Sequence, residues 1–123
     1  MDMKQHLLRQ MAFSRATFGT GNRTEGVSDH IRKELKEIAS ERPEDRPEEW
    51  VDVVLLALDG LWRSIETDSH PNADPSQVAE AALFIIEDKQ GRNERRIWPD
   101  WRTAAPDKAI EHVKPSPTPQ EQT

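Results

Sequence analysis

The chain has 123 residues, of which 34% are hydrophobic and 33% charged, which suffices for one domain and leaves too little apolar material for two separate cores. A net charge of −6 with no long Lys/Arg block argues against a nucleic-acid groove, and the lack of cysteine excludes disulfides, thiolate metal sites and a cysteine nucleophile. No run approaches the ~18 apolar residues of a membrane span, and the amino terminus lacks a charged-then-apolar leader pattern, so the expectation is a soluble, cytoplasmic protein with no membrane partner.

In chain order, residues 2–12, "DMKQHLLRQMA", read as a short amphipathic helix, and the Gly- and Thr-rich "TFGTGNRTEG" after it reads as loop. Ser28 or Asp29 can cap the next helix, whose apolar stripe is Ile31, Leu35 and Ile38 at i, i+4 and i+7. Pro43 and Pro47 in "ERPEDRPEE" end it, and Pro47 suits the first turn of the helix that follows. That helix, from Pro47 to about Ile65, gathers Trp50, Val51, Val54, Leu55, Leu58, Leu61 and Trp62 on one broad arc.

After the polar loop "TDSHPNADPS", with Asp74 or Ser76 available as a cap, a fourth helix is expected from Pro75 to about Asn93. "IWPDWR" breaks the pattern, and "PDKAIEHV" reads as a last short helix. The Pro-rich end, residues 114–123, reads as a disordered tail behind a domain spanning 1–113. No β-alternation and no internal repeat is present, so the expected fold is all-α, with a thin core that favours oligomerisation.

Two pairs of acids face each other across the Pro-punctuated turn of "HIRKELKEIASERPEDRPEEWVDVVLLALDG". Glu34 and Glu37 lie on the first helix, Glu49 and Asp52 on the second, each pair three residues apart and beside an apolar stripe. In an antiparallel hairpin both pairs flank one seam, where their oxygens can supply the shell that Mg²⁺ requires at about 2.1 Å. In a chain with 23 acidic residues the same spacing also arises on a solvated face, so spacing alone leaves both readings open. A second feature is the fourth helix, where Lys89 and Asn93 continue the wheel sector of Ala82, Ile85 and Ile86, and Arg96 extends it. Burying such groups is costly unless an anion meets them, which makes this face a candidate phosphate clamp; a helix end at Gly91 with a snorkelling Lys89 is the bland alternative.

At this point the residues resemble a known family. "FGTGNRTEGVSDHIRKELKEI", "EEWVDVVLLALDGLWR", "KQGRNERRIWPDWR" and "KAIEHV", together residues 13–113, are similar to the MazG-like all-α nucleotide pyrophosphohydrolases, in particular the phage and bacterial dATP/dGTP pyrophosphohydrolase branch. The resemblance implies a MazG-like helical bundle completed by oligomerisation, a homodimer that pairs into a homotetramer. It implies cleavage of a purine deoxynucleoside triphosphate between the α and β phosphates, giving a monophosphate and pyrophosphate.

By the same resemblance Glu34, Glu37, Glu49 and Asp52 match the catalytic, Mg²⁺-binding acids, with Mn²⁺ as a substitute and about two to three ions per site. Lys89, Asn93 and Arg96 match the substrate phosphate-contacting positions. The superfamily pattern often opens with two adjacent glutamates, whereas here Lys33 precedes Glu34, which leaves four ligands rather than five. Glu37 or Glu49 is the acid expected to orient or deprotonate the attacking water.

Phe13 and Phe18 are candidates for a base pocket. Trp98 and Trp101 are expected at a subunit boundary, and Asp59 with Arg63 in a surface or inter-subunit salt bridge. His30, His70 and His112 are not spaced as a metal set. Two alternatives stand beside the enzyme: a non-catalytic acidic helical protein that binds a basic partner, as an inhibitor or DNA mimic does, and a pyrimidine dNTP pyrophosphatase of the same fold.

Overall fold

A computed structural model of the chain describes residues 1–115, and among these every regular element is helical, as expected. α1 (Met3–Phe18) opens on Asp2, whose Oδ1 accepts from the N–H groups of Lys4 and Gln5 at 2.8 and 3.2 Å. The helix runs well beyond residue 12 because Ser14 continues the inward row of Leu7 and Met11 at i, i+4 and i+7. It stops at Gly19, whose φ of 91° is readily reached only without a Cβ and lets its N–H close on the Arg15 carbonyl.

α2 (Thr24–Ser40) begins ahead of the expected Ser28 or Asp29 cap. Asn22 Oδ1 takes the Thr24 N–H at 2.8 Å and starts the helix earlier. A single 3₁₀ turn, Pro43–Asp45, leads into α3 (Arg46–Ser64), with Pro47 in its first turn as the sequence requires. α3 ends in a π-helical turn, Ile65–Ser69. α4 (Pro75–Arg95) starts on a reciprocal cap, in which Asp74 Oδ1 accepts the Gln77 N–H and Gln77 Oε1 accepts the Asp74 N–H, both at 2.9 Å. It continues through Gly91.

The chain divides into two compact units, Met1–Ile85 and Ile86–Thr123. The core of the first is Leu7 and Met11 of α1, Trp62 of α3, Ile65, and Val78, Ala79 and Ala82 of α4. Guanidinium groups of Arg15 and Arg63 lie 4.8 and 4.6 Å from the Trp62 ring centre, and Arg15 also pairs with Glu66 at 2.7 Å. α2 packs chiefly on α3, with Val27 and Ile38 buried and Leu35 left 44% exposed, against the expected stripe. The buried position between those two is taken by Glu34, which is only 8% exposed.

In the second unit the expected helix over "PDKAIEHV" does not form. A turn closed by the Lys108 N–H on the Ala105 carbonyl is followed by chain without regular structure, where the Val113 N–H donates to the Ile97 carbonyl at 2.7 Å. The His112 ring meets Trp98 edge-on, 5.7 Å between centres. Eight residues are too few to hold a helix by themselves, and these contacts satisfy the segment in another conformation. From residue 116 onward the expected Pro-rich tail lies outside the described residues.

Candidate metal centre and substrate cavity

The short connection between α2 and α3 folds the two helices back to back, and this is what brings their acids together. Glu34, Glu49 and Asp52 each offer a carboxylate oxygen, and these oxygens lie within 4.8 Å of one another. Asp52 is exposed, Glu49 half-buried and Glu34 buried. Glu34 Oε2 and Glu49 Oε2 are both shielded from solvent and have no hydrogen-bond partner. A buried carboxylate oxygen without a donor is expensive, and a cation bound to the cluster would offset that cost.

The electrostatics agree. Glu49 has its pKa raised above the ordinary 4.5, first by burial and then by the charges of Asp52, Glu37, Glu34 and Glu41. Glu37, half-buried one turn beyond Glu34, belongs to the same negative field, but its oxygens are not among the three that converge. An all-oxygen donor set of this kind suits Mg²⁺ or Mn²⁺.

A cavity of about 260 Å³ opens beside the acids. Glu34, Asp52 and His30 line one part of it, Phe13, Phe18, Leu55 and Leu56 supply apolar wall, and Gln10, Ser14 and Asp59 complete the polar lining. The two phenylalanine rings meet edge to face, 6.3 Å between centres. Phe13 and Phe18 therefore do flank a cavity next to the acid cluster. His30 and Gln10 were not foreseen there. The one sequence signal for His30 is its position one helical turn before Glu34, which puts its Nε2 3.2 Å from Glu34 Oε1.

Asp59 and Arg63 are not a surface or inter-subunit salt bridge. They are 6% and 2% exposed, inside the first unit. Asp59 Oδ1 accepts from Gln10 Nε2 and from Trp62 Nε1, both at 2.9 Å, and Oδ2 accepts from the Ser14 hydroxyl. Arg63 donates to Ser14 Oγ at 2.9 Å and to the Gly21 carbonyl at 3.0 Å, and its Nε lies 3.9 Å from Asp59 Oδ2. Burial pulls the Arg63 pKa down, and the Asp59 charge pulls it back up. The polar side-chain atoms of Asp59, Gln10 and Ser14 all have partners, Gln10 Oε1 meeting His6 Nε2 at 2.9 Å.

A family model described as dATP/dGTP pyrophosphohydrolase matches residues 7–116. The chain belongs to the dATP/dGTP pyrophosphohydrolase family. No curated protein and no solved structure matches it. The match to the pyrophosphohydrolase family takes in all four acids, the cavity wall and the later cationic segment.

In this pyrophosphohydrolase that segment belongs to the second unit. Lys89 is exposed, so the cost of burying its charge does not arise. Asn93 and Arg96 are half-buried, with Arg96 Nη1 donating to Asn93 Oδ1 at 2.8 Å and Trp98 Nε1 donating to the Asn93 carbonyl at 2.7 Å. Trp101 is 68% exposed with the Arg102 guanidinium 5.0 Å from its ring centre. No helix among the described residues is long and apolar enough to cross a membrane.

Proposed function

We propose that the protein hydrolyses dATP and dGTP at the bond between the α and β phosphates, releasing pyrophosphate and a deoxynucleoside monophosphate, with Mg²⁺ as the working ion and Mn²⁺ as a substitute. The observation that carries this reading is a cluster of three carboxylates, Glu34, Glu49 and Asp52, in which Glu34 Oε2 and Glu49 Oε2 are buried and unpartnered and of which Glu34 and Asp52 line an aromatic-walled cavity.

The cavity is smaller than the ~300–1,000 Å³ of a pocket that takes a whole drug-sized ligand. It suits one part of a nucleotide, and the apolar wall suits the base, with Phe13 and Phe18 packing against the purine. The triphosphate then extends toward Glu34, Glu49 and Asp52. A triphosphate brings about four negative charges to a site that already holds as many carboxylates, an arrangement repulsive at contact distance. About two to three divalent ions held by these acids would supply the compensating charge and would polarise the attacked phosphoryl group.

Glu37, outside the converging three, is the acid we assign to orienting the water and receiving its proton. Lys89, Asn93 and Arg96 are proposed as the phosphate-contacting residues on the strength of the resemblance. A homodimer, paired into a homotetramer, is proposed as the working form in the cytoplasm. No nucleic acid partner is proposed.

The test is pyrophosphate release from each common dNTP, with Mg²⁺ and then with EDTA. The expected outcome is metal-dependent release from dATP and dGTP, leaving the monophosphate. Asp52→Asn is expected to cut the rate by at least about 100-fold with the helical signal intact, because loss of even an outer-shell partner of a metal ligand costs ~10–100-fold. Turnover confined to dCTP or dUTP would move the protein to the pyrimidine reading. Folded protein that turns over no nucleotide would favour an acidic binding protein.

A further inference from the structure

Resting on the metal reading above, one residue outside the four acids has a definable task. His30 and Glu34 are one turn apart on α2, and His30 Nε2 lies 3.2 Å from Glu34 Oε1. The other oxygen, Oε2, is the one that is buried and unpartnered, and Glu34 is the most buried acid of the cluster. The two atoms are at ion-pair distance without the alignment of a hydrogen bond, and because a carboxylate only accepts, the imidazole can act on Glu34 only as the donor. We infer that His30 is a positioning residue: it holds Glu34 by Oε1 and so directs Oε2 at the cation shared with Glu49 and Asp52.

The physical case has two parts. A glutamate side chain has several rotatable bonds, and a free carboxylate beside two others would turn away from them. A donor fixed on one oxygen opposes that rotation and leaves one defined oxygen for the metal, as outer-shell partners do for ligands in general. The same donor offsets part of the mutual repulsion of three carboxylates whose oxygens lie within 4.8 Å of one another. His30 also lines the cavity, its side chain 45% exposed, so replacing it leaves the helix packing untouched.

The experiment is a titration of the full chain with Mn²⁺, following the loss of the free-ion electron paramagnetic resonance signal, with no nucleotide present. His30→Leu keeps an apolar volume on the cavity wall and removes the donor. His30→Gln keeps an N–H donor at a similar reach. The expected result is Mn²⁺ binding weakened about 10-fold or more in His30→Leu and restored to within about 3-fold of wild type in His30→Gln. Wild-type affinity in His30→Leu would overturn the inference while leaving the metal site standing. Equal weakening in both variants would do so too, by pointing to cavity packing instead of a donor. Failure of the wild-type protein itself to bind Mn²⁺ would overturn the metal reading, and this inference with it.

Discussion

Glu49 lies in a field of like charge, with one oxygen hidden from water and partnerless. Its pKa is higher folded than unfolded, so it favours the folded state below the unfolded value, and that contribution is lost as pH rises through the folded value. Without metal, Glu49 therefore costs stability once the pH rises above its unfolded value. Glu49→Gln is expected to melt at a higher temperature than wild type at pH 7 in EDTA, with the gap closing as pH falls toward 4.5. Circular-dichroism melts across that range check it, and a gap that widens on acidification would contradict the shift. Adding Mg²⁺ should reverse the order by stabilising wild type alone. Three of the four acids were legible as a cluster because i, i+3 spacing on two helices joined by a short turn leaves few ways to arrange them. The burial of Glu34 was not, because periodicity assigns the inward place to Leu35. His30 escaped for a similar reason, since a lone histidine on a helix fits many uses.

At the level of elements, α1 and α3 are tied by a polar interior as well as by Leu7, Met11 and Trp62. Asp59 binds Gln10 and Ser14 of α1 while also accepting from Trp62 of its own helix. Asp59→Ala would strand Arg63, 2% exposed, as an uncompensated buried charge and leave three donors short of an acceptor. The expected cost is about 3–5 kcal/mol of unfolding free energy, read from urea denaturation, and a loss below 1 kcal/mol would show that water replaces the carboxylate there. The element boundaries show why some helices were legible and others not. Pro47 in the first turn of α3, and Asp74 with Gln77 ahead of α4, are local signals whose chemistry is complete within a few residues. The extension of α1 to Phe18 depends on Ser14 meeting Asp59, 45 residues away, and the loss of the expected last helix depends on Val113 reaching Ile97. Contacts so distant in sequence leave no periodic trace, and they also hid the buried role of Asp59 and Arg63.

Across the whole molecule the unresolved account is that of apolar surface. The arc of α3 that the sequence marks as apolar is covered along its second half, where Leu58 and Leu61 are half-buried and Trp62 is buried, and bare along its first, where Trp50, Val51 and Val54 are each about half exposed. Leu35 of α2 is exposed to a similar degree. One stripe that is core at one end and solvent-facing at the other leaves apolar surface that the proposed dimer would cover. A two-fold contact presents the same patch from both sides, so a single substitution acts twice, and an aspartate at position 54 would face apolar side chains or its own copy. Val54→Asp is thus expected to move the protein from a multiple of the chain mass to the single-chain mass in sedimentation velocity, with helicity unchanged. A wild-type protein that sediments as one chain would remove the oligomer from the proposal. An aspartate variant that stays assembled would place the contact on another surface and leave the bare half of α3 to a different partner.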